Sequence, residues 1–285
     1  MDIKPIAAGL GAEVTGIDLA QPLDAATVKA LRQAWLKYLV LLFRGQTMTP
    51  QQLIDFSARF APLETHESYQ PELRHPDHPE LLVVKASEVG GRRIVFGQQW
   101  HSDLSYTTRP SLGSCLYCRK LPSVGGDTLF ANMYMAYDEL SPAMQRLLER
   151  LEVVHDLSNG RSLRNASHEA REGARRRNPP VAQPAVRVHP ETGRKALYIS
   201  EWMCPRFVGM SEEESAGLLR FLFDHSVQEP FTMRQRWRVD DVLMWDNRAT
   251  IHMALADYAI GEPRELLRTS MMGEDCGRLL QEAAE

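Results

Sequence analysis

Apolar residues recur at helical spacing in four places, and each series stands behind a helix-start signal. Val28, Leu31, Trp35 and Tyr38 follow Asp24, and Leu53, Phe56 and Phe60 follow Thr49-Pro50. Met144, Leu147, Leu148 and Leu151 follow Ser141-Pro142, and Leu218, Leu219 and Leu222 follow a capping box of Ser211 and Glu214. An oxygen at the cap accepts from an N–H that the first turn leaves unpaired, and proline is tolerated at the first helical position. The spacing therefore predicts four helices, each packing one stripe on a core. Short β-rich runs lie between them, at 39–43, 81–84, 112–118, 153–155, 186–189, 197–199, 242–245 and 269–272. Turn clusters such as Gly125-Gly126-Asp127 and Asp246-Asn247-Arg248 punctuate these runs. Strands dominate without βαβ alternation, which predicts a mainly β chain, a sandwich or jelly roll with flanking helices.

One segment breaks the pattern. Residues 158–184 are polar, carry Arg171, Arg175, Arg176 and Arg177, and end in prolines. A stretch this long without clear strands suits a mobile lid-like insertion or a surface excursion.

Composition narrows the choices. At 285 residues with 44% hydrophobic side chains, the chain can bury one large core, and a single domain over 1–285 is expected. A net charge of −4 with both signs interspersed supplies no whole-chain field for nucleic acid or a membrane surface. No apolar run approaches the roughly 20 residues that span a bilayer, and the opening residues lack a signal peptide's pattern. A cytoplasmic protein is expected. Cys115 and Cys118 form a C-x-x-C without a second pair, and on a strand they point to opposite faces, so packed free thiols are expected.

The chemistry centres on Trp100-His101-Ser102-Asp103-Leu104. On a strand His101 and Asp103 would share a face and offer two neighbours of a 2-His-1-carboxylate facial triad. H-x-D alone is weak evidence. A third ligand could come from His252, on the second strand of a hairpin turning at Asp246-Asn247-Arg248, although a lone histidine there is more often a core residue. Arg264 and Arg268, four apart on an expected strand, would lie roughly 13 Å apart on one face. Planar guanidinium groups bind carboxylates through paired hydrogen bonds, so two of them can hold two anions.

Taken in order, several pieces resemble the taurine dioxygenase and 2,4-dichlorophenoxyacetate dioxygenase family of iron/2-oxoglutarate enzymes. They are Gly11-Ala12-Glu13-Val14-Thr15-Gly16-Ile17-Asp18-Leu19, Trp100-His101-Ser102-Asp103, Gly125-Gly126-Asp127-Thr128, Trp245-Asp246-Asn247-Arg248 with His252, and Arg264 to Arg268. The resemblance implies a double-stranded β-helix (a jelly roll or cupin-like barrel) with Fe(II) held by His101, Asp103 and His252. It assigns the distal carboxylate of 2-oxoglutarate to Thr128 and Arg264. It implies oxidative decarboxylation to succinate and carbon dioxide, with molecular oxygen hydroxylating a small organic anion: a sulfonate, a sulfate ester, or an aryloxy or other carboxylate. The presence of Asp103 disfavours halogenation, since related halogenases lack the carboxylate. By the same resemblance His66, Tyr69, Leu104 and Arg268 would contact the substrate, and the enzyme would be a homo-oligomer, a dimer or tetramer. Gly97 departs from the asparagine of the taurine enzyme, and the connection from His252 to Arg264 is one residue longer. Two other readings compete: a zinc-dependent hydrolase, which the same three ligands suit, and a non-catalytic cupin-like anion-binding module.

Overall fold

The computed structural model describes residues 1–66, 73–89, 92–95, 97–160, 163 and 167–280. All four expected helices form, at Ala25–Tyr38, Pro50–Ser57, Pro142–Leu148 and Glu212–Ser226. Their caps are those of the sequence. Asp24 accepts from Thr27 N, Ser141 accepts from Met144 N, and the Ser211/Glu214 box is closed in both directions. Phe60 lies just beyond its helix and meets Trp35 and Phe56 edge-on.

Each expected β run overlaps a strand. The main sheet orders Asp2–Pro5, Ala12–Thr15, Val40–Phe43, Val242–Asp246, Gly113–Lys120, Glu265–Met271, Leu82–Val89 and Arg92–Val95. A smaller sheet sets Thr128–Asn132 between Thr232–Gln235 and Thr250–Ala254. Period-two alternation assigns the faces of the main sheet. Leu41, Phe43, Cys115, Tyr117, Val242 and Met244 pack with Leu31, Trp35 and Leu53 of the first two helices. Val40, Leu42, Leu116, Cys118, Leu243 and Trp245 pack inward with Phe130 and Met233 of the small sheet. The small sheet's outer side, Ala131 and Ile251, joins a third cluster with Leu219 and Leu222 of the long C-terminal helix. The protein is thus mainly β with helices outside, and two facing sheets enclose an interior. Cys115 and Cys118 sit on opposite faces as buried free thiols.

The sequence pattern missed some elements. Thr128–Asn132 shows no alternation because it is almost wholly buried. Met133–Asp138 is too short for a helical repeat to show and starts on Asn132, whose side chain accepts from Tyr134 N and Met135 N. Within 158–184, the polar His168–Arg177 is helical, capped by Ser167, and Val181–Pro184 is a strand paired with Glu152–His155. Arg175 is bound there, donating to Asp156 Oδ2 at 3.0 and 2.8 Å and to Ser158 Oγ at 3.1 Å.

Candidate active site

His252 reaches the interior by simple strand register. It pairs with Phe130, so the two side chains share the inward face. The imidazole stacks on Phe130 at 5.7 Å and leans on Trp245 at 4.8 Å. His101 joins at a single β-bridge: its N–H donates to His252 O at 3.0 Å, and His252 N–H donates to His101 O at 2.8 Å.

The expected strand through Asp103 does not form. A turn begins at Asp103, and Leu104 takes the left-handed conformation with φ 55°. His101 and Asp103 still converge, through side-chain contacts rather than strand alternation. Asp103 N–H donates to Asn247 Oδ1 at 3.3 Å, and Asp103 Oδ2 accepts from Ser114 Oγ at 2.7 Å. Ser114 stands two residues before Leu116, on the inward face of the main sheet.

Ligand atoms of His101, Asp103 and His252 all lie within 4.8 Å of one another, and all three residues are buried. Asp103 Oδ1 is 3.7 Å from His101 Nε2 and 3.9 Å from His252 Nε2. His101 Nδ1 lies 2.7 Å from the Gln99 carbonyl, which fixes its proton there and leaves the Nε2 lone pair facing the cluster. Burial pushes the His101 imidazole below its usual range, with Asp103 only partly opposing it. Burial, then the neighbouring His101, pushes His252 down further. Burial alone would raise the Asp103 carboxyl, but Arg268, His252, His101 and the Ser114 hydroxyl together hold it well below the carboxylate range. Two neutral imidazoles and an ionised carboxylate are the protonation states a divalent metal requires. The donor set fits iron(II) with three open positions, and zinc as well.

A cavity lined by Gly97, His101, Thr128, His252, Arg264 and Arg268 adjoins this cluster. Thr128 Oγ1 accepts from Trp237 Nε1 at 3.0 Å, which leaves the hydroxyl proton for an incoming acceptor. Arg264 Nε donates to the Gly126 carbonyl at 2.8 Å. The glycine turn sets this contact, since Gly125 and Gly126 have φ of 83° and 75° and a Cβ on Gly125 would lie 2.5 Å from Asp257 O. Arg264 and Arg268 share a face, as their spacing of four on an extended run predicts. Arg264 precedes the strand Glu265–Met271, and the register shifts between Glu265 and Leu266. The extra residue of that shift is Arg119 on the partner strand, while residues 265–268 pair with 82–85 without a break, so alternation keeps Arg264 and Arg268 facing the same cavity.

Arg268 Nη1 donates to Asp103 Oδ1 at 2.8 Å. His66 is buried, and burial first, then the Arg268 charge, lowers its pKa to about 3 against the pull of Asp103. It is therefore neutral and lies within the electrostatic reach of both residues. Leu104 is half-buried beside Asp103. Tyr69 lies outside the described residues. Sequence reasoning gave no role to Gln99, Ser114 or Trp237. No local pattern marks them, because each acts across the fold on a residue distant in the chain or through its backbone carbonyl.

Residues 2–270 match the family described as Taurine catabolism dioxygenase TauD, TfdA family. A (S)-phenoxypropionate/alpha-ketoglutarate-dioxygenase of Sphingobium herbicidovorans is 36% identical over 89% of this chain and 88% of its own length. An alpha-ketoglutarate-dependent sulfate ester dioxygenase of Pseudomonas putida is 32% identical over 96% and 90%. Among solved structures, AAD-2 in complex with Mn(II) and N-oxalylglycine superposes with a TM-score of 0.86 at 29% identity, covering 96% of this chain and 98% of that one. A taurine dioxygenase from Burkholderia xenovorans gives 0.83 at 30% identity, covering 99% and 95%. These matches define the class, that of 2-oxoglutarate-dependent dioxygenases. The chain belongs to the TauD, TfdA family.

Proposed function

We propose that this protein oxidises a small organic anion (a sulfonate, a sulfate ester, or an aryloxy or other carboxylate) with iron(II) held by His101, Asp103 and His252. One observation carries the reading: the buried His-Asp-His cluster adjoins a cavity lined by Thr128, Arg264 and Arg268. The bound metal would activate oxygen, coupled to conversion of 2-oxoglutarate to succinate and carbon dioxide. Arg264 and Thr128 hold the distal carboxylate through charge-assisted and hydroxyl hydrogen bonds. Arg268 and the neutral His66 receive the organic anion, with Leu104 and Tyr69 against its body. The dry walls formed by Phe130, Trp245 and Leu116 keep water from the reacting atoms.

The two facing sheets form a double-stranded β-helix in this proposal, one domain over the whole chain, assembled as a dimer or tetramer. A cytoplasmic location accords with the four free thiols. Part of 158–184, ahead of the paired strand Val181–Pro184, acts as a lid over the pocket, which predicts slower proteolysis there once metal, 2-oxoglutarate and substrate are bound. The anion-binding pair distinguishes this reading from a zinc hydrolase, since hydrolysis needs no second carboxylate cradle beside the metal. A panel of small sulfonates, sulfate esters and phenoxy acids, assayed for substrate-stimulated succinate release with iron(II) and oxygen, tests it. At least one class should stimulate release; a flat response across the panel would overturn the substrate assignment.

A further inference from the structure

The turn at Asp103 raises a question of positioning. No β-ladder fixes this residue, and Leu104 leaves it in the left-handed conformation. Yet one of its two oxygens, Oδ1, faces both imidazole Nε2 atoms. We propose that Asn247 is the positioning residue that makes this choice, acting through Ser114.

The hydrogen-bond directions carry the argument. Asn247 Oδ1 accepts from two donors that cannot reverse, the Asp103 backbone N–H at 3.3 Å and the Trp245 indole N–H at 2.9 Å. The amide is therefore locked with Nδ2 on its other side, where it donates to Ser114 Oγ at 3.1 Å and to Ser111 Oγ at 3.4 Å. A serine hydroxyl has a single proton. With Nδ2 donating to its oxygen, that proton is directed to Asp103 Oδ2 at 2.7 Å. Oδ2 is thereby engaged, and Oδ1 is the oxygen turned to the histidines. Asn247 is itself immobile: its N–H donates to Leu112 O at 3.0 Å, and its carbonyl accepts from Ser102 Oγ at 2.7 Å. The turn carrying it is anchored next door by the buried Asp246, which accepts from Arg248 Nε at 2.9 Å, Arg248 Nη2 at 2.7 Å and His189 Nε2 at 3.0 Å. One amide thus ties the turn before His252 to the backbone of Asp103, and sets the rotamer of its carboxylate.

The inference rests on the proposed three-ligand metal site, and the test separates the two. Co(II) affinity of the full-length metal-free protein is measured by calorimetry for wild type, Asn247→Ala, Ser114→Ala and the double variant, with thermal midpoints alongside. Groups that orient a metal ligand typically contribute about 10–100-fold in affinity. Each single variant should lose about tenfold or more, and the double variant should resemble Asn247→Ala, because the serine acts downstream of the amide. Losses that multiply in the double variant, or midpoints that fall while Co(II) affinity holds within twofold, would overturn the relay. If Asn247→Ala does not fold, Ser114→Ala alone decides on the same twofold criterion. Failure of wild type to bind Co(II) would instead refute the metal site itself.

Discussion

Arg268 donates to Asp103 through the oxygen that also faces both imidazoles: Nη1 to Oδ1 is 2.8 Å, and Oδ1 to the two Nε2 atoms is 3.7 and 3.9 Å. The guanidinium and a bound cation would share one carboxylate oxygen. Removing one partner of a buried ion pair strands the other charge, at about 3–5 kcal/mol. Arg268→Ala should therefore destabilise the metal-free protein by that order, and Co(II) should restore more stability to the variant than it adds to wild type. Denaturant unfolding with and without Co(II) measures both. Equal stabilisation of the two proteins by Co(II) would show that Arg268 and the cation do not substitute for one another.

Arg264 Nε donates to the Gly126 carbonyl rather than to a carboxylate, and the guanidinium lines the cavity beside the metal cluster. Truncating a buried charge-assisted contact costs about 2–5 kcal/mol. Arg264→Ala should weaken 2-oxoglutarate binding by that amount, about 30-fold or more, and Thr128→Val by about 1 kcal/mol. Calorimetry on the Mn(II)-loaded protein reads both. A loss of 2-oxoglutarate affinity in Arg268→Ala but not in Arg264→Ala would exchange the two roles.

The parts of this site that were legible in the sequence are those encoded locally. The hairpin around Asp246-Asn247-Arg248 could be read from turn residues between apolar runs, and it delivers His252 to the interior as the alternation requires. Helix starts were legible because a cap is a contact three residues long. Asp103 was assigned to the right cluster for the wrong local reason, since its turn is stabilised by Asn247 and Ser114, far away in sequence. The shift between Glu265 and Leu266 was hidden likewise, because a bulge is a property of two paired strands and not of either alone.

His155 gives the fold a pH dependence that is independent of the metal site. It is buried, with Nε2 3.2 Å from Tyr198 O and 3.5 Å from Cys204 Sγ, and burial lowers its pKa to about 4. The unfolded chain, with a histidine pKa near 6.5, binds a proton in the window where the folded chain does not. Stability is therefore flat above pH 6.5 and falls as the pH drops towards 4, by about 3 kcal/mol from this residue. His155→Gln should show a shallower acid limb in urea unfolding measured across that window. An unchanged slope would mean that His155 is protonated inside the fold.

In the proposed function the His101, Asp103 and His252 cluster serves oxidation driven by 2-oxoglutarate and not hydrolysis. The most direct measurement is the product balance of the purified protein on a responsive anion, with iron(II), 2-oxoglutarate and oxygen, against zinc(II) with neither oxygen nor 2-oxoglutarate. Succinate and oxidised product are expected in the first condition, none in the second, and none in either for alanine variants of the three ligands. Cleavage of a sulfate ester under zinc(II) alone, or full succinate yield from any ligand variant, would contradict this function.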